Sequence, residues 1–159
     1  MHWDLSQHND PRACKLADRH YSRKKVGAPQ MMPPGRKIVL VTAAGDAVWG
    51  VNWPYPELVA HAWPNAMMCT IFRNEGPVLS SKLIVEAMAC TRWKFPEPPA
   101  DGIVTFVDAK KVNRKRDPGR CFRRAGWDHI GFTKRGLFVL QLPPDSWPDP
   151  KKPNFAPWF

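Results

Sequence analysis

The chain has 159 residues, enough for one domain with a buried core and too few for two of ordinary size. Lysine and arginine total 24 against 14 acidic residues, and the net charge of +10 points to a polyanionic partner, nucleic acid before anionic membrane. With 43% hydrophobic and 24% charged residues, wholesale disorder and collagen-like composition are excluded. No apolar run approaches the ~18–20 residues of a membrane span, and Met1 to Asp4 lack a signal peptide's charged and apolar regions, so no membrane association is expected and the setting is cytoplasmic. Cys14, Cys69, Cys90 and Cys121 are far apart, with no Cys-x-x-Cys pair, and read as buried thiols rather than a zinc module or disulfide scaffold.

Asp10-Pro11 sets an N-cap before proline, and Ala13, Leu16, Ala17 and His20 follow at helical spacing, predicting a first helix over 11–23. Residues 27–35 contain three prolines and form a loop, then 37–41 and 47–53 make a hairpin around Gly45-Asp46. Residues 54–65 are an exposed, proline-interrupted loop that follows Trp53 and carries Tyr55, His61 and Trp63. The apolar run 67–72 is a strand, leading through a tight turn to a helix with Ser80 and Ser81 as N-cap candidates and an end near Lys94. Residues 103–107 are apolar on both faces, hence a central strand ending at Asp108. Asp117-Pro118 repeats the cap-plus-proline signal before a short helix closed by Gly126, and 127–132 and 137–142 form a last hairpin. This is a mixed α/β (α+β) domain around one sheet over 1–142, followed by a tail over 143–159 with six prolines, extended and docked by Trp147, Phe155 and Trp158.

The strand-to-helix turn from Phe72 to Ser81 is the first place for chemistry. A helix N-terminus offers unpaired amides and a positive dipole end, which suits a phosphate, although an ordinary helix start has the same features. The order of elements, with Arg73–Ser81 at the crossover and Asp108 ending the central strand, resembles the GNAT family of acyl-CoA-dependent N-acetyltransferases. In that family this turn carries Arg/Gln-x-x-Gly-x-Gly/Ala and binds the pyrophosphate of CoA through backbone amides. Here Arg73-Asn74-Glu75-Gly76-Pro77-Val78 keeps the first half and has Val78 at the second glycine position. The resemblance implies acetyl-CoA or another acyl-CoA as donor, held by Arg73, Asn74, Gly76, Ser80 and Ser81.

Within that family, His20-Tyr21, Leu79-Ser80-Ser81 and Thr105-Phe106-Val107-Asp108 resemble the Mom group of phage Mu, which modifies adenine in DNA. That implies catalytic roles for His20, Tyr21 and Asp108. An exocyclic adenine amine is a poor nucleophile, because its lone pair is delocalised into the ring. His20 or Asp108 would take its proton, with Tyr21 donating to the leaving thiolate or orienting the base. Singly, the three also suit a core histidine, an anchored aromatic and a strand-end cap. A His, phenolate and carboxylate set would also suit iron, though three residues are a thin set.

The run from Lys110 to Arg124 holds eight positive residues in fifteen, Arg114, Lys115, Arg116 and Arg120 among them, against Asp117 alone. A second group, Arg19, Arg23, Lys24 and Lys25, flanks His20-Tyr21. Both suit phosphates of double-stranded DNA, and Trp49, Trp53, Tyr55 and Trp63 suit a flipped base, with core packing as the competing use. The sequence leaves open an ordinary acetyltransferase acting on a protein or small-molecule amine, and a non-catalytic DNA-binding module. A homodimer is compatible with it.

Overall fold

A computed structural model describes residues 1–20, 23, 25–32, 35–59, 61–111 and 117–155. The expectations at Tyr21, Lys24, Arg114, Lys115, Arg116 and Trp158 lie outside these. One eight-stranded mixed sheet organises the chain, built from β1 (Trp3–Leu5), β2 (Arg36–Thr42), β3 (Ala47–Trp53), β4 (Met67–Asn74), β5 (Ile103–Val107), β6 (Asp128–Phe132), β7 (Phe138–Leu142) and β8 (Asn154–Phe155). The strand order is β6-β7-β5-β4-β3-β2-β1-β8, antiparallel except for β4 with β5 and β1 with β8. Helices α1 (Pro11–Asp18), α2 (Ser80–Lys94) and α3 (Arg120–Arg124) complete it. No helix among the described residues is long and apolar enough to cross a membrane.

Alternation along the strands sends side chains to two faces. On one, Leu40, Trp49, Val51, Met67 and Ile103 meet the buried stripe Leu83, Ile84, Ala87, Met88 and Cys90 of α2. On the other, Val39, Val41, Val48 and Ile71 meet Ala13, Leu16 and Ala17 of α1. Farther along the sheet, Val104 and Val139 lie under Trp63, from the loop after β3. Two tryptophan N–H groups are satisfied in the first core: Trp3 Nε1 donates to Leu83 O at 2.9 Å, and Trp49 Nε1 to Thr91 Oγ1 at 3.1 Å.

Local signals mostly did what they promise, with three exceptions. Asp10 caps α1, accepting from the Arg12 amide at 2.9 Å, but the helix ends at Asp18 rather than near 23. Its last bonds tighten to three-residue spacing, and the Asp18 carboxylate accepts from Gly27 N at 3.1 Å and Arg23 Nε at 2.9 Å, which folds the chain back. Ser80 and Ser81 are not the cap of α2. Leu79 occupies that position, because the Ser80 hydroxyl accepts from Asn74 Nδ2 at 3.0 Å. Asp117 does not cap α3 either: it pairs with Arg123 at 2.9 Å, and left-handed Gly119 starts the helix.

The end of α3 is as expected. Gly126 has φ +98, with Trp127 N bonding Phe122 O and Gly126 N bonding Arg123 O, the two bonds of a Schellman closure. The unpredicted elements are the short strands β1 and β8 and two single 3-10 turns, Pro56–Leu58 and Pro144–Ser146, the second within the tail expected to be extended. The segment 143–155 returns along the sheet, with Trp147 buried and donating from Nε1 to Leu142 O at 3.0 Å.

The two glycines bounding α3 should respond unequally to alanine. At Gly126 little lies near an added Cβ, so Gly126→Ala should cost the left-handed penalty of about 1 kcal/mol. At Gly119, φ +76, the new carbon collides with Leu140, so Gly119→Ala should cost roughly 2–4 kcal/mol in urea unfolding. Equal costs would mean that Leu140 yields without penalty.

Candidate functional site

The parallel ladder between β4 and β5 joins Met67 to Ile103 and Met68 to Val104, and stops. Beyond it β4 runs on to Asn74 beside β3, and β5 to Val107 beside β7, so the two strands part. Two features hold them apart. A bulge puts Thr70 out of register with β3, since Gly50 faces Ile71 and Val51 faces Cys69, and bulges bend and twist a strand. Where the next ladder bond would form, Thr105 Oγ1 donates to Cys69 O at 3.0 Å instead. The result is a fork in the middle of the sheet.

Helix α3 covers one face of the fork. The ring of Phe122 meets Phe72 of β4 at 6.0 Å and Trp127 at 4.9 Å, while Gly119 lies against Leu140 of β7 and Val107 of β5. Two buried donors here, Trp127 Nε1 and Arg123 Nε, have no acceptor. The other face is bordered on the β4 side by the end of α1 and on the β5 side by Phe106, whose ring meets His61 at 5.2 Å and Trp63 at 6.1 Å.

At the fork's open end, β4 turns into α2. Asn74 ties this turn together: its Nδ2 donates to Val78 O at 2.6 Å and its Oδ1 accepts from Gly76 N at 3.0 Å. The β2–β3 hairpin supports the turn from below, as Glu75 N donates to Asp46 O at 2.7 Å. A Cβ at Gly76 would displace the Asp46 carboxylate, which accepts from Thr42 Oγ1 at 2.6 Å. Both the Glu75 and Gly76 amides are thus engaged. An anion at this turn would meet the amides of Ser80, Ser81 and Lys82, in a first helical turn with no capping side chain and no acidic residue. The residues present therefore fit a phosphate on the helix side of the turn, while the glycine side is closed by carboxylate and Asn74.

Arg73 lies on the α1 side of β4. Glu75 bridges Arg19 (2.7 and 2.8 Å) and Arg73, whose Nη1 also donates to Arg19 O at 2.8 Å. The two guanidiniums, Arg19 first, hold the Glu75 carboxyl down at about 2. Next to this triad is His20, half-buried in the turn after α1. Burial, with the Arg73 charge beside it, pushes its pKa down to about 4, so its imidazole is neutral at physiological pH. Burial also lowers His61, whose Nδ1 accepts from Trp63 N at 3.0 Å.

Asp108 ends β5 as expected, and its Oδ1 accepts from Lys110 N at 3.0 Å, closing its own turn. The charge beside His20 is that of Arg73 on β4, while the Asp108 carboxylate is engaged in its own turn. Of the expected phosphate contacts, Lys25 and Arg120 are exposed, as are Lys110, Lys111 and Arg124. Arg23 is different: its side chain is 7% exposed, pairs with Asp18, and donates to Ala28 O and Gln30 O. Among the aromatics offered for a flipped base, Trp49 is fully buried in the core, correcting that expectation. Trp53 packs on Phe95 with Arg36 over its ring, Tyr55 is exposed, and Trp63 sits beside the fork. His61, which the sequence places with Tyr55 and Trp63 on the loop 54–65 as part of a possible recognition surface, and Phe106, for which no such role was read, border the site because the loop returns onto β5. The four cysteines are thiols, Cys69 and Cys90 buried, and no cluster of three His, Cys, Asp or Glu able to hold a metal forms among the described residues.

Comparison with protein-family models, with curated proteins and with solved structures finds no match.

The neutral His20 has a consequence for stability. The unfolded histidine takes a proton near pH 6.5 and the folded one only near 4, so folding weakens as pH falls through that window. Wild type should lose about 2 kcal/mol more than His20→Gln between pH 7 and pH 4.5 in urea unfolding. Parallel pH dependence of the two proteins would show that His20 protonates as in water.

Proposed function

We propose that this protein is a GNAT-like acyltransferase of the Mom type, modifying a base amine in DNA, adenine N6 first among candidates. The observation that carries the reading is the fork between β4 and β5 with the start of α2 at its open end. A fork exposes unpaired strand edges inside a sheet, and such an edge accepts an extended, amide-bearing chain by β-addition. The adjacent helix start offers amides to a phosphate. On this reading the amide-bearing arm of the donor and its phosphate would take adjoining places. Ser80 and Ser81 would hold the pyrophosphate through their amides, and Asn74 and Gly76 would keep the turn in shape. Arg73 would orient the α1 side through Glu75.

Acetyl-CoA or another acyl-CoA supplies an activated thioester when bound. The chain's own contribution is to hold the acceptor amine and take its proton. On this reading His20, unprotonated at physiological pH, would accept that proton; Tyr21 follows it directly in sequence, and Asp108, at the end of β5, would close the opposite side. The exposed cations Lys110, Lys111, Arg120 and Arg124, with Arg114 to Arg116 in the same run, favour a polyanionic acceptor over a small amine. On this reading the protein works with double-stranded DNA in the cytoplasm, that of the host if it is phage-encoded. No step in it requires iron.

The closed glycine side of the turn favours one competing reading, a DNA-binding module with no donor. The test is mass spectrometry of nucleosides from the DNA of cells expressing wild type or His20→Ala, alongside titration of the purified protein with acetyl-CoA. A modified adenosine in wild type, reduced at least about a hundredfold in the variant, is expected. Unmodified DNA from both, no acetyl-CoA binding and salt-sensitive DNA binding would establish the module instead. Acetyl-CoA binding without DNA dependence would establish an ordinary acetyltransferase.

A further inference from the structure

The hairpin formed by β6 and β7 carries an aromatic group that begins at the core with Phe138 and ends in exposed Phe132. His129 stacks on Phe138, with centroids 4.8 Å apart at 17°, and Phe132 meets both edge-on at 5.0 Å. Phe132 is nonetheless 58% exposed, and Ile130, the bulged residue of β6, is 39% exposed. Ordinary packing does not account for a preformed aromatic group left in water on an edge strand. At the turn end of the hairpin the charge is positive: Lys134 and Arg135 form the turn beside Phe132, while Asp128 lies at the opposite end of β6. Phe138 pairs with Val107, the last residue of β5, so this end of the hairpin stands beside the fork's open end.

We propose that this hairpin is a stacking surface for unpaired nucleobases, with Phe132 as the stacking ring and Lys134 and Arg135 on the flanking phosphates. Aromatic faces beside cations bind single-stranded nucleic acid through base stacking and phosphate contact together. A paired base inside a duplex has both faces covered by its neighbours, so the surface selects a base that is extruded or unpaired. The rings already hold one another, which lowers the ordering cost of binding. The proposal rests on the DNA-directed reading above and adds the surface that takes the base outside the stack, in place of the buried Trp49.

The test is fluorescence anisotropy with a labelled single-stranded oligodeoxynucleotide and its duplex, at several salt concentrations and without any acyl donor. Wild type should prefer the single strand. Phe132→Ala, at an exposed position, should weaken single-strand binding roughly tenfold and leave the duplex nearly unchanged, while Phe132→Trp should restore it. Lys134→Ala with Arg135→Ala should weaken both and flatten the salt slope by about one to two. Unchanged single-strand affinity in Phe132→Ala would overturn the proposal. So would sedimentation showing that wild type self-associates and Phe132→Ala does not, which makes this face an interface between copies. Phe132-dependent single-strand binding by a protein that binds no acetyl-CoA would remove the transferase reading and leave this one standing. Base modification unaffected by Phe132→Ala would do the reverse.

Discussion

Backbone groups inside a sheet need partners, and the parting of β4 from β5 after Met68 and Val104 denies them to both facing edges. The rest of the architecture is arranged around that gap. Thr105 answers one orphaned carbonyl, that of Cys69, with its hydroxyl. The short helix α3, started by Gly119 and closed by Gly126, roofs one side with Phe122, and Trp63 and His61 return to Phe106 beside the other. An unbroken ladder would give a continuous sheet with no gap between β4 and β5.

Electrostatics at the fork are asymmetric in a useful way. On the α1 side, Arg19, Glu75 and Arg73 neutralise one another in part, fixing the end of α1 to β4 and depressing the Glu75 carboxyl, while burial first and the Arg73 charge second depress the His20 imidazole. On the β5 side, Lys110, Lys111, Arg120 and Arg124 remain exposed. The net charge of +10 is therefore expressed at the edge of the gap by the run after β5, while Arg23 is absorbed by its own loop.

Aromatic residues divide by role in a way that composition does not reveal. Trp3, Trp49 and Trp127 belong to the core, with Trp49 touching both Phe72 and Trp127 edge-on. His61, Trp63 and Phe106 border the fork. His129, Phe132 and Phe138 gather on an exposed hairpin beside it. The residue type is the same in each place, and the partner strand decides whether the ring is cement or surface.

The sequence by itself determined the long elements and their punctuation. Apolar runs bounded by turn residues marked β2 to β5, the turn after Phe72 announced α2, Asp10-Pro11 began α1, Gly45 turned the first hairpin, and Gly126 closed α3. These signals are local, because the same few residues both carry the pattern and adopt the structure. Of the candidate site, the placement of Asp108 at the end of β5 and of the turn before α2 was legible for the same reason. Only the tertiary structure decided where the competition for partners ended. Ser80 lost its capping role to Asn74, Asp117 lost its own to Arg123, and α1 stopped at Asp18 because the carboxylate folds the following loop back. The strands β1 and β8 are three and two residues long, too short for any pattern, and exist through the edges they pair with. The fork itself depends on a bulge at Thr70 and a side-chain bond across two strands, contacts between residues 20 to 36 positions apart that no local rule encodes.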